Sequence, residues 1–171
     1  MIDRRRIEIA DPKITGSMQP YHAAEGLELD RARKYLERCE EGSRLRASKA
    51  LQEVRDDLRR DGRETVGCGL LLASGRPLPP LAEVLASHAR IHTADGEHFR
   101  EALSKAAASL NLPVAPVPEK EIWARAAVDL RTPIADLERL VNAVGKTVGP
   151  PWTKDQKLAA LSGWLVLAVA S

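Results

Sequence analysis

The sequence predicts a helix-rich α/β protein, a small sheet of about three strands covered by helices. Three observations carry that expectation. Apolar residues recur at three- and four-residue spacing through most of the chain, the period of amphipathic helices. A continuous apolar run, Thr65 to Leu72, departs from that period and reads as a strand buried on both faces. The order strand, helices, strand from Thr65 to Val117 fits one right-handed βαβ crossover.

The elements follow in order. Ile7 and Ile9 alternate with Arg6 and Glu8, the pattern of a half-buried strand from Arg6 to Ala10, ended by Asp11-Pro12. Lys13 to Gly26 reads as an ordered polar loop. A helix with Leu29, Ala32, Leu36 and Cys39 on one face then stops at Gly42, and Ser43 starts a second with Ala47, Leu51, Val54 and Leu58. The glycines Gly67 and Gly69 in the next strand imply close approach of a neighbour. Beyond Ser74-Gly75-Arg76-Pro77 comes a helix with Leu81, Val84, Leu85, His88 and Ile91. Thr93 reads as the N-cap of a further helix, with Asp95 and Glu97 in its first turn, and Asn111 ends it. Leu112 to Val117 is a strand whose prolines place it at an edge. Three helices close the chain. They span Glu119 to Leu130, then start at Thr132-Pro133 and stop at Gly145, then run from Lys154 to Ala170 behind a Thr153–Gln156 capping box.

With 171 residues and no repeat or linker, residues 1–171 read as a single domain. Aromatic residues are only 4% of the chain, so the core must be aliphatic and alanine-based. Twenty-six basic and 24 acidic residues leave a net charge of +2, which does not by itself indicate nucleic acid or an anionic membrane as partner. The apolar stretch Leu158 to Ala170 is shorter than the ~20 residues a membrane span needs. No signal-peptide pattern follows the basic start, and Cys39 and Cys68 read as two free thiols, so a cytoplasmic location is expected.

Three of the four histidines fall between His88 and His98. His88 and His92 are four apart, share a helical face, and have the spacing of a zinc-ligating pair, with Asp95, Glu97 or His98 the third ligand if the chain folds back at Thr93. The glutamate that follows the first histidine in zinc proteases is replaced by Ala89. The competing reading makes His88 a hydrogen-bonded core residue and His92 a helix-junction residue. Tyr21, His22 and Glu25 form a second polar cluster whose groups suit proton transfer, and a loop anchor is the alternative. Cys68 reads as an inert core residue, because a reactive thiol needs exposure and positive charge beside it. Arg76, at a strand end, is a candidate anion contact. Arginines crowd the first half of the chain but interleave with Asp56, Asp57 and Asp61, as on a solvated helix.

The last helix, Lys154-Asp155-Gln156-Lys157-Leu158-Ala159-Ala160-Leu161, is similar in pattern to the closing helix of ribonuclease H-like proteins, the group that includes Holliday-junction resolvases. In that group an aspartate precedes a small-residue run and ligates magnesium. The order of elements also resembles the last part of that fold. Aligned on the small-residue run, Lys157 stands where the aspartate belongs, and the opening hairpin with its catalytic aspartate is missing. The resemblance implies a fold and argues against a working nuclease. Asp11, Glu25 and Asp155 are the carboxylates a magnesium site would have to enlist.

Three functions follow, in order of support. The first is a non-catalytic binding or assembly module, with Trp152, Trp164 and Leu167 on a self-association face that makes a homo-oligomer. The second is a metal-dependent hydrolase that uses the histidine and carboxylate cluster with a divalent metal. The third is a nucleic-acid-associated protein that uses the arginines.

Overall fold

The computed structural model describes residues 4–73 and 77–170. Seven helices and two strands occur among them, in the order α1 (Pro20–Ala24), α2 (Leu29–Arg60), β1 (Cys68–Leu72), α3 (Leu81–Leu85), α4 (His88–Ser109), β2 (Val114–Pro118), α5 (Ile122–Asp129), α6 (Ile134–Val148) and α7 (Lys154–Ala170). The helix-rich α/β class stands. Contacts divide the chain into two compact units. A helical unit comprises Ile7–Glu64 and Gly75–Asn111, and a sheet unit comprises Met1–Arg6, Thr65–Ser74 and Leu112–Ser171. No helix among the described residues is long and apolar enough to cross a membrane.

In the helical unit, α2 and α4 pack along each other and α1 and α3 lie against them. The expected break at Gly42 does not occur. Ala32, Leu36, Cys39, Ser43 and Ala47 form one buried stripe that passes Gly42, and that packing outweighs the ~1 kcal/mol a mid-helix glycine costs. The expected break at Thr93 is also absent. The helix begins behind Ser87 at the N-cap position and runs on through Ile91, Ala94, Asp95, His98 and Ala102, all buried. Thr93 is mid-helix, and its hydroxyl donates to the Ala89 carbonyl one turn back (3.0 Å) rather than capping a new start. The stretch read as a loop contains α1, which Pro20 opens at its first position. Residues 6–10 form no strand: two isoleucines on an isolated segment find no ladder, and the Glu8 carbonyl accepts from Arg46 Nε instead (3.2 Å).

In the sheet unit, β1 and β2 pair in parallel, with Cys68 opposite Val114 and Leu72 opposite Pro118. The sheet thus has two strands among the described residues, not about three. Each strand is an edge, which is why Pro116 and Pro118 are tolerated in β2. The β1 run is not sandwiched in the interior as expected. Gly69 is exposed and the other four residues are half-buried, with α7 crossing the face that carries Gly69 and Leu71. Gly69 permits that crossing: a Cβ there would sit 2.2 Å from Ser162 Oγ and 2.8 Å from the Ser162 carbonyl oxygen. The core joins Leu71 and Val117 to Ile122, Ala126, Leu137, Val141, Leu158, Leu161 and Leu165. The chain leaves β1 through residues 74–76, so part of the expected right-handed crossover, together with Ser74, Gly75 and Arg76, lies outside the described residues.

Boundaries elsewhere shift slightly. Pro133 takes the N-cap position of α6, and α6 continues past Gly145 to Val148, with Gly149 at the C-cap. One half of the α7 capping box forms: the Thr153 amide donates to the Gln156 side-chain oxygen (2.7 Å), and the Thr153 hydroxyl donates to that same oxygen.

Candidate metal centre

The helical unit brings three histidines together. His88 opens α4 and His92 lies one turn on, so both rings leave the same face of the helix. Their Nε2 atoms are 3.1 Å apart. His22 comes from α1 and completes the group. One nitrogen from each of the three rings falls within 4.8 Å of the others, and among the described residues this is the one such cluster of three or more potential ligands. The ring centroids are 4.4 Å apart for His22 and His92, 4.5 Å for His88 and His92, and 5.2 Å for His22 and His88.

Two devices hold α1 in place. The first is the turn that precedes it. Gly16 adopts a φ of +81°, and a Cβ there would lie 2.5 Å from the Ala23 Cβ and 2.9 Å from the Tyr35 hydroxyl. The Tyr35 hydroxyl in turn donates to the Thr15 carbonyl (2.9 Å). The second is Asp95, one turn beyond His92 and buried on α4. Its Oδ1 accepts the Tyr21 backbone N–H (2.7 Å) and its Oδ2 accepts His22 Nδ1–H (2.5 Å). A carboxylate only accepts, so this bond sets the His22 tautomer with the proton on Nδ1 and the Nε2 lone pair free. A carboxylate behind an imidazole is the usual outer partner of a metal-ligating histidine.

The spacing of the His88–His92 pair suits a tetrahedral ion. Two imidazole nitrogens bound at about 2.0–2.1 Å on a tetrahedral centre lie about 3.3 Å apart, close to the observed His88–His92 separation. All three donors are imidazoles, which favour zinc, copper, iron or nickel over magnesium or calcium. His88 and His92 are exposed and His22 is half-buried, so the cluster faces water on one side.

The other candidates fall elsewhere. His88 is not a core histidine and His92 does not mark a junction, since both are exposed on a continuous helix. Glu97 is not in the cluster; it pairs with Arg100 one turn along (3.4 Å). The fold-back at Thr93 that would have offered Asp95, Glu97 or His98 as a ligand does not occur, and on the unbroken helix Asp95 bonds to His22. Of Tyr21, His22 and Glu25, the first two bind Asp95, while Glu25 is exposed just beyond α1 with its amide on the His22 carbonyl (3.1 Å). The Tyr21 ring packs with Ala24, Leu36, Val84 and Ile91, and burial raises its hydroxyl above the ordinary tyrosine range, with Glu101, Glu40 and Asp95 adding to the effect. The fourth histidine, His98, lies buried between α4 and α2, with Nε2 3.0 Å from Ser43 Oγ. Burial lowers its pKa below the ordinary histidine value, against the pull of Glu40, Asp95 and Glu101. Cys39 and Cys68 are free, and burial raises both thiols.

The carboxylates named for a magnesium site have local surroundings of their own. Asp11 Oδ1 accepts the Lys13 amide (3.0 Å), Glu25 ends α1, and Asp155 lies in the first turn of α7. No family model matches the chain, and comparisons with curated proteins and with solved structures return no match.

Proposed function

We propose that this protein is a metal-dependent hydrolase built on a zinc centre of His22, His88 and His92. The convergence of three imidazole nitrogens within 4.8 Å carries the reading. Three protein ligands leave the fourth position of a tetrahedral ion for water or substrate, the arrangement of catalytic rather than structural zinc. Zinc held by His22, His88 and His92 would lower the pKa of a bound water to about 7 and so supply a nucleophile at neutral pH. The chain's own part is to hold the two α4 imidazoles at cis spacing, to present His22 in the Nδ1–H tautomer, and to leave one side of the cluster open.

Zinc titration by calorimetry tests the centre, with aryl esters and phosphodiesters as substrates for the chemistry. One zinc per chain is expected, lost in His88→Ala and His92→Ala, with turnover that a chelator removes and zinc restores. Absence of zinc binding overturns the centre. Zinc binding without hydrolysis of either ester class overturns the hydrolase reading.

A second reading, self-association of the sheet unit, is favoured by an open apolar groove of about 450 Å³ lined by Leu130, Leu137, Leu140, Val144 and Trp164. Leu140 and Leu167 are exposed beside half-buried Trp164, whereas Trp152 turns inward and donates its indole N–H to the Val141 carbonyl (3.1 Å). Light scattering at high concentration should then give a dimer mass, and a monomer mass would contradict it. The nucleic-acid reading draws less from α2, where Arg44 pairs with Glu41, Arg60 with Asp57, and Arg55 donates to the Leu110 carbonyl. Neither the ribonuclease H-like relation nor a magnesium site gains a converging carboxylate set among the described residues.

A further inference from the structure

Asp95 does two things with one carboxylate. Its Oδ1 takes the amide of Tyr21, an N-terminal N–H of α1 that no helical carbonyl can satisfy. Its Oδ2 takes the ring N–H of His22. The α1 segment is otherwise held by packing, through Pro20, Ala24 and the Tyr21 ring and through the Gly16 turn that Ala23 lies against, and Asp95 is the side chain that bonds to its polar groups. It is five residues long, has no side-chain N-cap of its own, and is followed by Gly26 at a φ of +77°. A helix that short does not persist without tertiary contacts. Pro20 and Ala24 supply its buried anchors, and Asp95 supplies the polar one.

We propose that Asp95 couples metal occupancy to the docking of α1 on α4, so that the centre is regulated by, and in turn orders, the N-terminal segment. This rests on the zinc reading above. His22 can ligate only when α1 is docked, because His88 and His92 both belong to α4. Held by a metal through its other ring nitrogen, His22 would be a stronger Nδ1–H donor to Asp95, because the metal would withdraw electron density from the ring. That strengthens the bond that also sits beside the capped Tyr21 amide. Binding and docking are therefore linked in both directions. Asp95 is a positioning residue in this scheme, since it acts on the metal only through His22.

Substitution Asp95→Asn isolates the coupling at nearly constant size. Asn has one acceptor oxygen where Asp95 uses two. If that oxygen keeps the Tyr21 amide, the Asn NH2 faces His22 Nδ1 and selects the Nε2–H tautomer, which cannot ligate through Nε2.

The experiment is amide hydrogen exchange, read by mass spectrometry, on the full chain with zinc alone and with chelator. Zinc is expected to slow exchange in peptides covering residues 20–25 by at least about tenfold, with peptides from α6 unchanged. D95N should keep its helical circular dichroism, bind zinc roughly 10–100-fold more weakly, and show little slowing in residues 20–25 at a zinc level that saturates the wild type. Zinc bound by the wild type with no change in residues 20–25 overturns the coupling and leaves the metal centre standing. Wild-type zinc affinity in D95N overturns the positioning role. Absence of zinc binding removes both readings together, and the wild-type exchange comparison holds whether or not the variant folds.

Discussion

His22 and Asp95 are 73 positions apart in the chain, yet His22 Nδ1 lies 2.5 Å from Asp95 Oδ2. That contact fixes the ring tautomer where His22 lies beside the two α4 histidines, so three imidazoles cluster although only two stand at helical spacing in the sequence. The bonds to Asp95 and the ring geometry explain why an imidazole from a short helix can hold still beside His88 and His92.

Zinc should stabilise the helical unit. A ligand that binds only the folded state contributes about 2.7 kcal/mol at a hundred times its dissociation constant. Thermal unfolding followed by circular dichroism should shift to higher temperature with zinc and return with chelator. In His22→Ala the zinc-dependent shift should be small or absent.

Acid should weaken the α2–α4 interface. The folded-state pKa of His98 is lowered, chiefly by burial, so the neutral ring is the form the fold prefers. Its stability contribution is fully present above the unfolded value of about 6.5 and is lost as pH falls through the lower folded value. Denaturant midpoints should drop on acidification from neutral pH through that window. His98→Gln should flatten this part of the profile, and an unchanged slope would show that His98 is not responsible.

Two glycines of the sheet unit should respond in opposite directions. Gly69→Ala drives a methyl into Ser162 where α7 crosses β1, and a cost of about 1–3 kcal/mol is expected from overpacking. Gly163 lies within α7 with nothing within 4 Å of its would-be Cβ, so Gly163→Ala should add roughly 0.5–1 kcal/mol through helix propensity. Chemical denaturation of the two variants against the wild type measures both.

Thiol reactivity should follow burial. Cys39 is fully buried and its thiol is raised, first by desolvation, so a disulfide reagent at neutral pH should modify it only after unfolding. Rapid labelling of Cys39 in the folded protein would contradict the packing of α2.

The helical periods, the capping box at Thr153 and the strands at Cys68 and Val114 were legible because each is a local signal. The breaks at Gly42 and Thr93 were misread for the same reason: both positions carry local stop or start chemistry that a long buried stripe overrides. Of the site, His88 and His92 were visible as a spacing. Asp95 is legible as a helix-start residue or as one of three ligands of a chain folded back at Thr93; its place beside His92, three residues on, follows only once α4 is continuous. His22 was singled out, but beside Tyr21 and Glu25 rather than with the other two histidines. Its partnership depends on where α1 docks, and no local pattern carries that information.

Metal analysis of the purified chain, equilibrated with excess zinc and then desalted, tests the central claim most directly. The wild type should retain close to one zinc per chain, and His22→Ala, His88→Ala and His92→Ala should each retain far less while keeping their helical content. Equal retention in all four proteins, or none in the wild type, would contradict a centre built on these three imidazoles.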